Sequence, residues 1–79
     1  MQVVDQLILD ENNMAFHPVM GNSYQLNPIS KEIIVMLKQY KSKEEILKEL
    51  SAKYDVSERE LFIDVSDFFA KLKVYGLLR

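Results

Sequence analysis

The sequence predicts an α+β fold: a small three-stranded antiparallel sheet followed by three helices. Three observations carry this prediction. Before Asn27, apolar residues come in short or alternating runs separated by turn residues. After it they recur at three- and four-residue spacing, as on one face of a helix. Three helix-start signatures then follow in order: Asn27-Pro28, Ser42-Lys43-Glu44-Glu45 and Ser57-Glu58-Arg59-Glu60.

Val3-Val4 and Leu7-Ile8-Leu9 predict the first strand, ended by Asp10-Glu11-Asn12-Asn13. That tetrapeptide is turn material, because Asn tolerates positive φ. Met14 to His17 predicts the second strand, which Pro18 should stop by removing a ladder donor. Gly21-Asn22 makes the next turn. In Ser23-Tyr24-Gln25-Leu26 the alternation sends Tyr24 and Leu26 to one face and Ser23 and Gln25 to the other.

Asn27 is a good N-cap and Pro28 suits the first helical position. Ile29, Ile33, Met36, Leu37 and Tyr40 then form an apolar face that Ile34 and Val35 widen. In the second helix, roughly 43–54, Ile46, Leu47, Leu50 and Tyr54 share one side and most of the lysines and glutamates the other. Asp55-Val56-Ser57 turns the chain into a third helix, roughly 58–75, closed by Gly76 as a left-handed stop. Its core stripe is Leu61, Val65, Phe68, Leu72 and Tyr75, flanked by Phe62 and Phe69. Asp64 and Lys71 border the stripe and Asp67 lies further round. A thin opposite stripe of Ile63, Ala70 and Val74 reads either as scattered surface residues or as a contact surface for a partner.

Composition narrows the function classes. The 79 residues are read as one domain, 1–79, with a hydrophobic share of 48%, enough to fold. No cysteine is present, so neither a disulfide nor a thiolate metal site is available. His17 is the only histidine and is expected to be an ordinary strand residue. Two glycines in all leave no phosphate-binding loop. The carboxylates at 44, 45, 58 and 60 are accounted for by helix capping and the helix dipole. No catalytic residue, metal or cofactor is therefore expected. The absence of an apolar run of membrane-spanning length and of a signal peptide fits a cytoplasmic protein with no membrane partner.

Two helices joined by a short turn, with a small sheet, spell a winged helix-turn-helix. DNA recognition fits poorly. The net charge is −2, and the third helix sets Arg59, Lys71 and Lys73 against Glu58, Glu60, Asp64 and Asp67, with its N-terminal half, the part that would enter a groove, acidic. The sheet also precedes the helices, whereas a DNA-binding wing follows the recognition helix. A DNA-binding regulator and a structural docking subunit of an enzyme complex stand as two alternative readings.

Taken together, several blocks resemble the PqqD-like family, the small domain of pyrroloquinoline quinone biosynthesis that also serves ribosomal peptide pathways as a precursor-peptide recognition element. The blocks are Gly21 with Tyr24-Gln25-Leu26-Asn27, Ile33 with Leu37, Glu45-Ile46 with Leu50, Tyr54-Asp55-Val56, Asp64-Val65 with Phe68-Phe69, and Leu72 with Gly76-Leu77-Leu78. The resemblance implies a non-catalytic module that binds the leader of a precursor peptide as an added strand. The module then presents it to a radical SAM enzyme, a cyclase or a leader protease. The third strand maps to Asn22–Asn27, so Ser23, Tyr24, Gln25, Leu26 and Asn27 are the expected strand-side contacts. The groove-side helix maps to Asp64–Lys71, with Asp64, Asp67 and Lys71 as charged contacts and Phe68 as either a pocket floor or core. Tyr24 and Leu26 are expected to face the core and bind through their backbone.

Overall fold

The computed structural model describes residues 3–78. A single 3-10 turn, Val3–Gln6, opens the chain. Strands β1 (Ile8–Leu9), β2 (Met14–Phe16) and β3 (Ser23–Gln25) follow, then helices α1 (Pro28–Lys38), α2 (Lys43–Tyr54) and α3 (Glu58–Val74). The sheet is antiparallel in the order β1-β2-β3, with Ile8 opposite Phe16 and Ala15 opposite Tyr24. The predicted class is therefore the observed one.

The first strand is shorter than its sequence suggests. Val4 and Leu7 are both almost fully buried, and their three-residue spacing suits a 3-10 turn rather than an alternating strand. Tertiary bonds hold that turn. The Val4 N–H donates to the Leu77 carbonyl (2.8 Å), and Lys38 Nζ donates to the carbonyls of Asp5 (3.3 Å) and Leu7 (2.5 Å).

Both turns of the meander use the residues that permit them. Asp10 Oδ1 accepts the N–H groups of Asn12 and Met14, and Asn13 takes φ 59°. Gly21 takes φ 78°, a left-handed value that glycine adopts without strain. His17 departs from its expectation. It is buried, and its Nδ1 accepts the N–H groups of Val19 and Met20, so the imidazole organises the 18–21 turn from inside.

The helix starts behave as capping chemistry requires. Asn27 Oδ1 accepts the Ser30 N–H at 2.7 Å. Ser42 and Glu45 make a complete capping box, whereas at Ser57 only the hydroxyl half is formed. Gly76 at φ 74° ends the last helix, and Leu77 folds back into the core with its N–H on the Leu72 carbonyl. Three tyrosines assigned to apolar faces lie outside: Tyr40 has φ 62° beyond the end of α1, and Tyr54 and Tyr75 are both exposed. Each sits at a helix end, where the face turns towards water; the Tyr54 hydroxyl donates to Glu32.

The core has two contiguous parts. Val4, Leu7, Ala15, Leu26, Ile34, Leu72 and Leu77 join the sheet to α1 and α3. Ile33, Met36, Ile46, Leu47, Leu50, Leu61 and Val65 join the three helices. Phe68 packs on both.

Glu45 supplies a pH test of the α2 cap. The Ser42 N–H and hydroxyl hold its carboxyl below the ordinary carboxylate range. A depressed folded-state pKa adds stability above the unfolded value, and that stability is lost as pH falls through the folded value. Glu45→Gln keeps a capping residue but cannot titrate. Its thermal midpoint, followed by circular dichroism, should drop less than that of the parent between about pH 5 and pH 3; an equal drop would remove Glu45 from the acid response.

Candidate peptide-binding groove

The two edges of the sheet differ. Within an antiparallel ladder, alternate residues point their N–H and C=O to opposite sides of the strand. The Leu26 N–H donates to Asn13 (2.7 Å), and the Asn22 carbonyl accepts from His17 (2.8 Å). Residues 22, 24 and 26 therefore bond towards β2. The N–H and C=O groups of Ser23 and Gln25 consequently point away from the sheet, along the free edge of β3. The opposite edge is partly closed, because the Leu7 carbonyl just before β1 is occupied by Lys38. No proline interrupts 22–27.

Beside this edge, β3 and α3 enclose a hollow of about 400 Å³. Ser23, Tyr24, Gln25, Leu26 and Asn27 form one wall, and Phe68, Lys71, Leu72 and Tyr75 the other. Ala15, Ile34 and Leu77 lie beneath. A second hollow of about 380 Å³ continues between the start of α1 and the first half of α3, and contains Asp64, Asp67 and Ile29. The two share Asn27, Ser30, Phe68 and Lys71, so they are sections of one groove. All nine residues named from the sequence thus lie along it. Along the groove, the wall running from Ser23 to Ile33 faces α3 running from Tyr75 back to Leu61.

The side chains are disposed as the alternation requires. Leu26 is buried, and Tyr24 is half-buried with its ring 5.3 Å from that of Tyr75, which closes one end of the groove. Ser23 and Gln25 are exposed on the other face. Asp64, Asp67 and Lys71 are exposed, and none has an ion-pair partner among the described residues. Some charges elsewhere are engaged. Glu32 binds both Lys53 and the Tyr54 hydroxyl, and Lys41 pairs with Glu49 at 2.7 Å. Burial pushes the Glu32 carboxyl up, but the bonds from Lys53 and Tyr54 outweigh it and leave the carboxyl below its usual range. Those pairs rim a wider depression of about 670 Å³ between α1 and α2, where no strand edge is offered.

Residue-type reasoning missed Ser30, Leu72 and Tyr75 as groove lining. Leu72 and Tyr75 sit in the stripe read as core, and only the position of β3 shows that the stripe continues past the sheet into a groove. No group of three or more His, Asp or Glu side chains converges on a possible metal position among the described residues. Among the same residues, no helix is long and apolar enough to cross a membrane.

The sequence model of coenzyme PQQ synthesis protein D (PqqD) matches residues 6–78. The chain belongs to the PqqD family. No curated protein and no solved structure gives a significant match. Membership of the PqqD family supports an accessory role in the biosynthesis of PQQ or of ribosomally made peptides, alongside a biosynthetic enzyme and its peptide.

The Tyr24–Tyr75 contact is open to a direct check. Tyr75→Ala should cost about 1 kcal/mol in urea unfolding, the worth of a tilted aromatic pair, while leaving the helix content unchanged. An unchanged unfolding midpoint would show that the stack does not hold the end of the groove.

Proposed function

We propose that this chain is a non-catalytic peptide-binding module. It takes the leader segment of a ribosomally made precursor peptide as a fourth strand on β3 and presents it to a modifying enzyme. The observation that carries this reading is the free edge at Ser23 and Gln25 lying directly above a groove floored by Phe68 and Leu72. Main-chain bonds along such an edge give affinity for any extended peptide, and pockets for alternate side chains give selectivity. A radical SAM enzyme, a cyclase or a leader protease would then act on the core segment beyond the leader, in a cytoplasmic setting.

Titrating a synthetic leader peptide into isotope-labelled protein should shift the amides of residues 22–27 and 60–75. Shifts confined to α2, or salt-sensitive duplex binding instead of peptide binding, would overturn the reading. Gln25→Pro removes an N–H that faces the free edge and takes no part in the β2 ladder. It should leave the fold intact and weaken the leader by about fivefold or more, the worth of one main-chain bond. Full affinity in the folded variant would argue against strand addition.

A further inference from the structure

We infer that the groove selects peptides by an ordered pattern at alternate positions: an apolar residue, then an acidic residue, then a long basic residue, read from the Tyr75 end towards Asp64. This inference rests on strand addition to β3 and goes beyond it by naming the peptide class.

The phase follows from the ladder. In either chain direction, a peptide residue opposite Ser23 or Gln25 sends its side chain to the outer face of the sheet, as they do. The residues between them share the face of Tyr24 and Leu26 and point into the groove. Only every second side chain is therefore read, and the intervening positions are indifferent.

The order follows from what the groove presents along its length. Near Tyr75 its floor is apolar, made by Leu26, Ile34, Phe68 and Leu72. Such a floor takes an aliphatic or aromatic side chain and would leave a charge unsolvated. Lys71 stands where the two sections meet. It is the lysine that lines the groove, and it has no carboxylate partner among the described residues. Asp67 and Asp64 follow in the second section, over the apolar side chains of Ile29, Ile33 and Leu61. A Lys or Arg suits that section, with its methylene stem on the apolar wall and its charge at the carboxylates.

The spacing agrees. Lys71 and Asp67 are one helical turn apart, about 6 Å. An extended chain crosses that distance in about two residues, so consecutive groove-facing side chains meet them in turn. Neither aspartate is explained by the helix dipole. That effect fades within the first turn, where Glu58 and Glu60 already lie.

The test uses peptides of about ten residues carrying an uncharged fluorophore and capped at both ends, so that carboxylates come only from side chains. One set carries Leu, Glu and Lys at alternate positions among Ser and Thr. A second exchanges Glu and Lys, and both are made in each chain direction. In fluorescence anisotropy, one direction of the first set should bind more tightly than its exchanged counterpart. Lys71→Glu should weaken that peptide about two- to fivefold and favour the exchanged one, as expected for a solvent-exposed pair. Asp64→Lys combined with Asp67→Lys should do the same at the basic position. Binding that is indifferent to charge order and to both variants would overturn this inference while leaving strand addition in place. If no peptide binds and the amides of 22–27 do not shift, both fall.

Discussion

The junction Leu26-Asn27-Pro28 is the constraint on which the rest of this structure depends. Leu26 is buried in the core shared by the sheet, α1 and α3, and its N–H completes the ladder to Asn13. The next residue caps α1, and Pro28 begins the helix. A strand, a core anchor and a helix cap occupy successive residues, so neither the register of β3 nor the start of α1 can shift alone. A slip of one residue would expose Leu26, bury Gln25 and remove the cap together. The edge of β3 is thereby held at a fixed height above α3.

That edge is short, and shortness is one way in which proteins limit unwanted strand pairing. The two borders of the sheet are treated differently. On the β1 side a lysine ammonium occupies the carbonyl just before the strand, and the chain bends into a 3-10 turn. On the β3 side the main chain stays free, and a groove with partly apolar walls lies beneath it. The two edges thus differ in what they leave open, although both belong to the same small sheet.

Helix α2 acts as a scaffold for the groove without lining it. Ile46, Leu47 and Leu50 support α1 and α3 from behind. Three of its charges engage neighbours: Lys53 on Glu32, Glu49 on Lys41, and Lys43 on the Ser66 hydroxyl and over the Phe62 ring. Lys43 lies across aromatic surface, which solvated-face reasoning does not anticipate. Asp64, Asp67 and Lys71, by contrast, line the groove with no ion-pair partner among the described residues.

Local chemistry by itself determined the class of fold and most of its boundaries. Capping residues at 27, 42 and 57, the positive-φ residues Asn13, Gly21 and Gly76, and the change from alternating to helical spacing all act within a few residues of themselves. They are legible for that reason. The candidate groove residues were legible through the resemblance of ordered blocks, not through their chemistry alone. Only the tertiary structure decided the rest. The Val3–Gln6 segment became a 3-10 turn because Lys38 and Leu77, distant in sequence, take its polar groups. The two amides that His17 accepts are local, but its burial is set by packing across the fold. Leu72 and Tyr75 became groove lining because β3 passes beside them. Alternation shows that Ser23 and Gln25 share a side, but which side is open depends on where β2 lies, and that is a long-range contact.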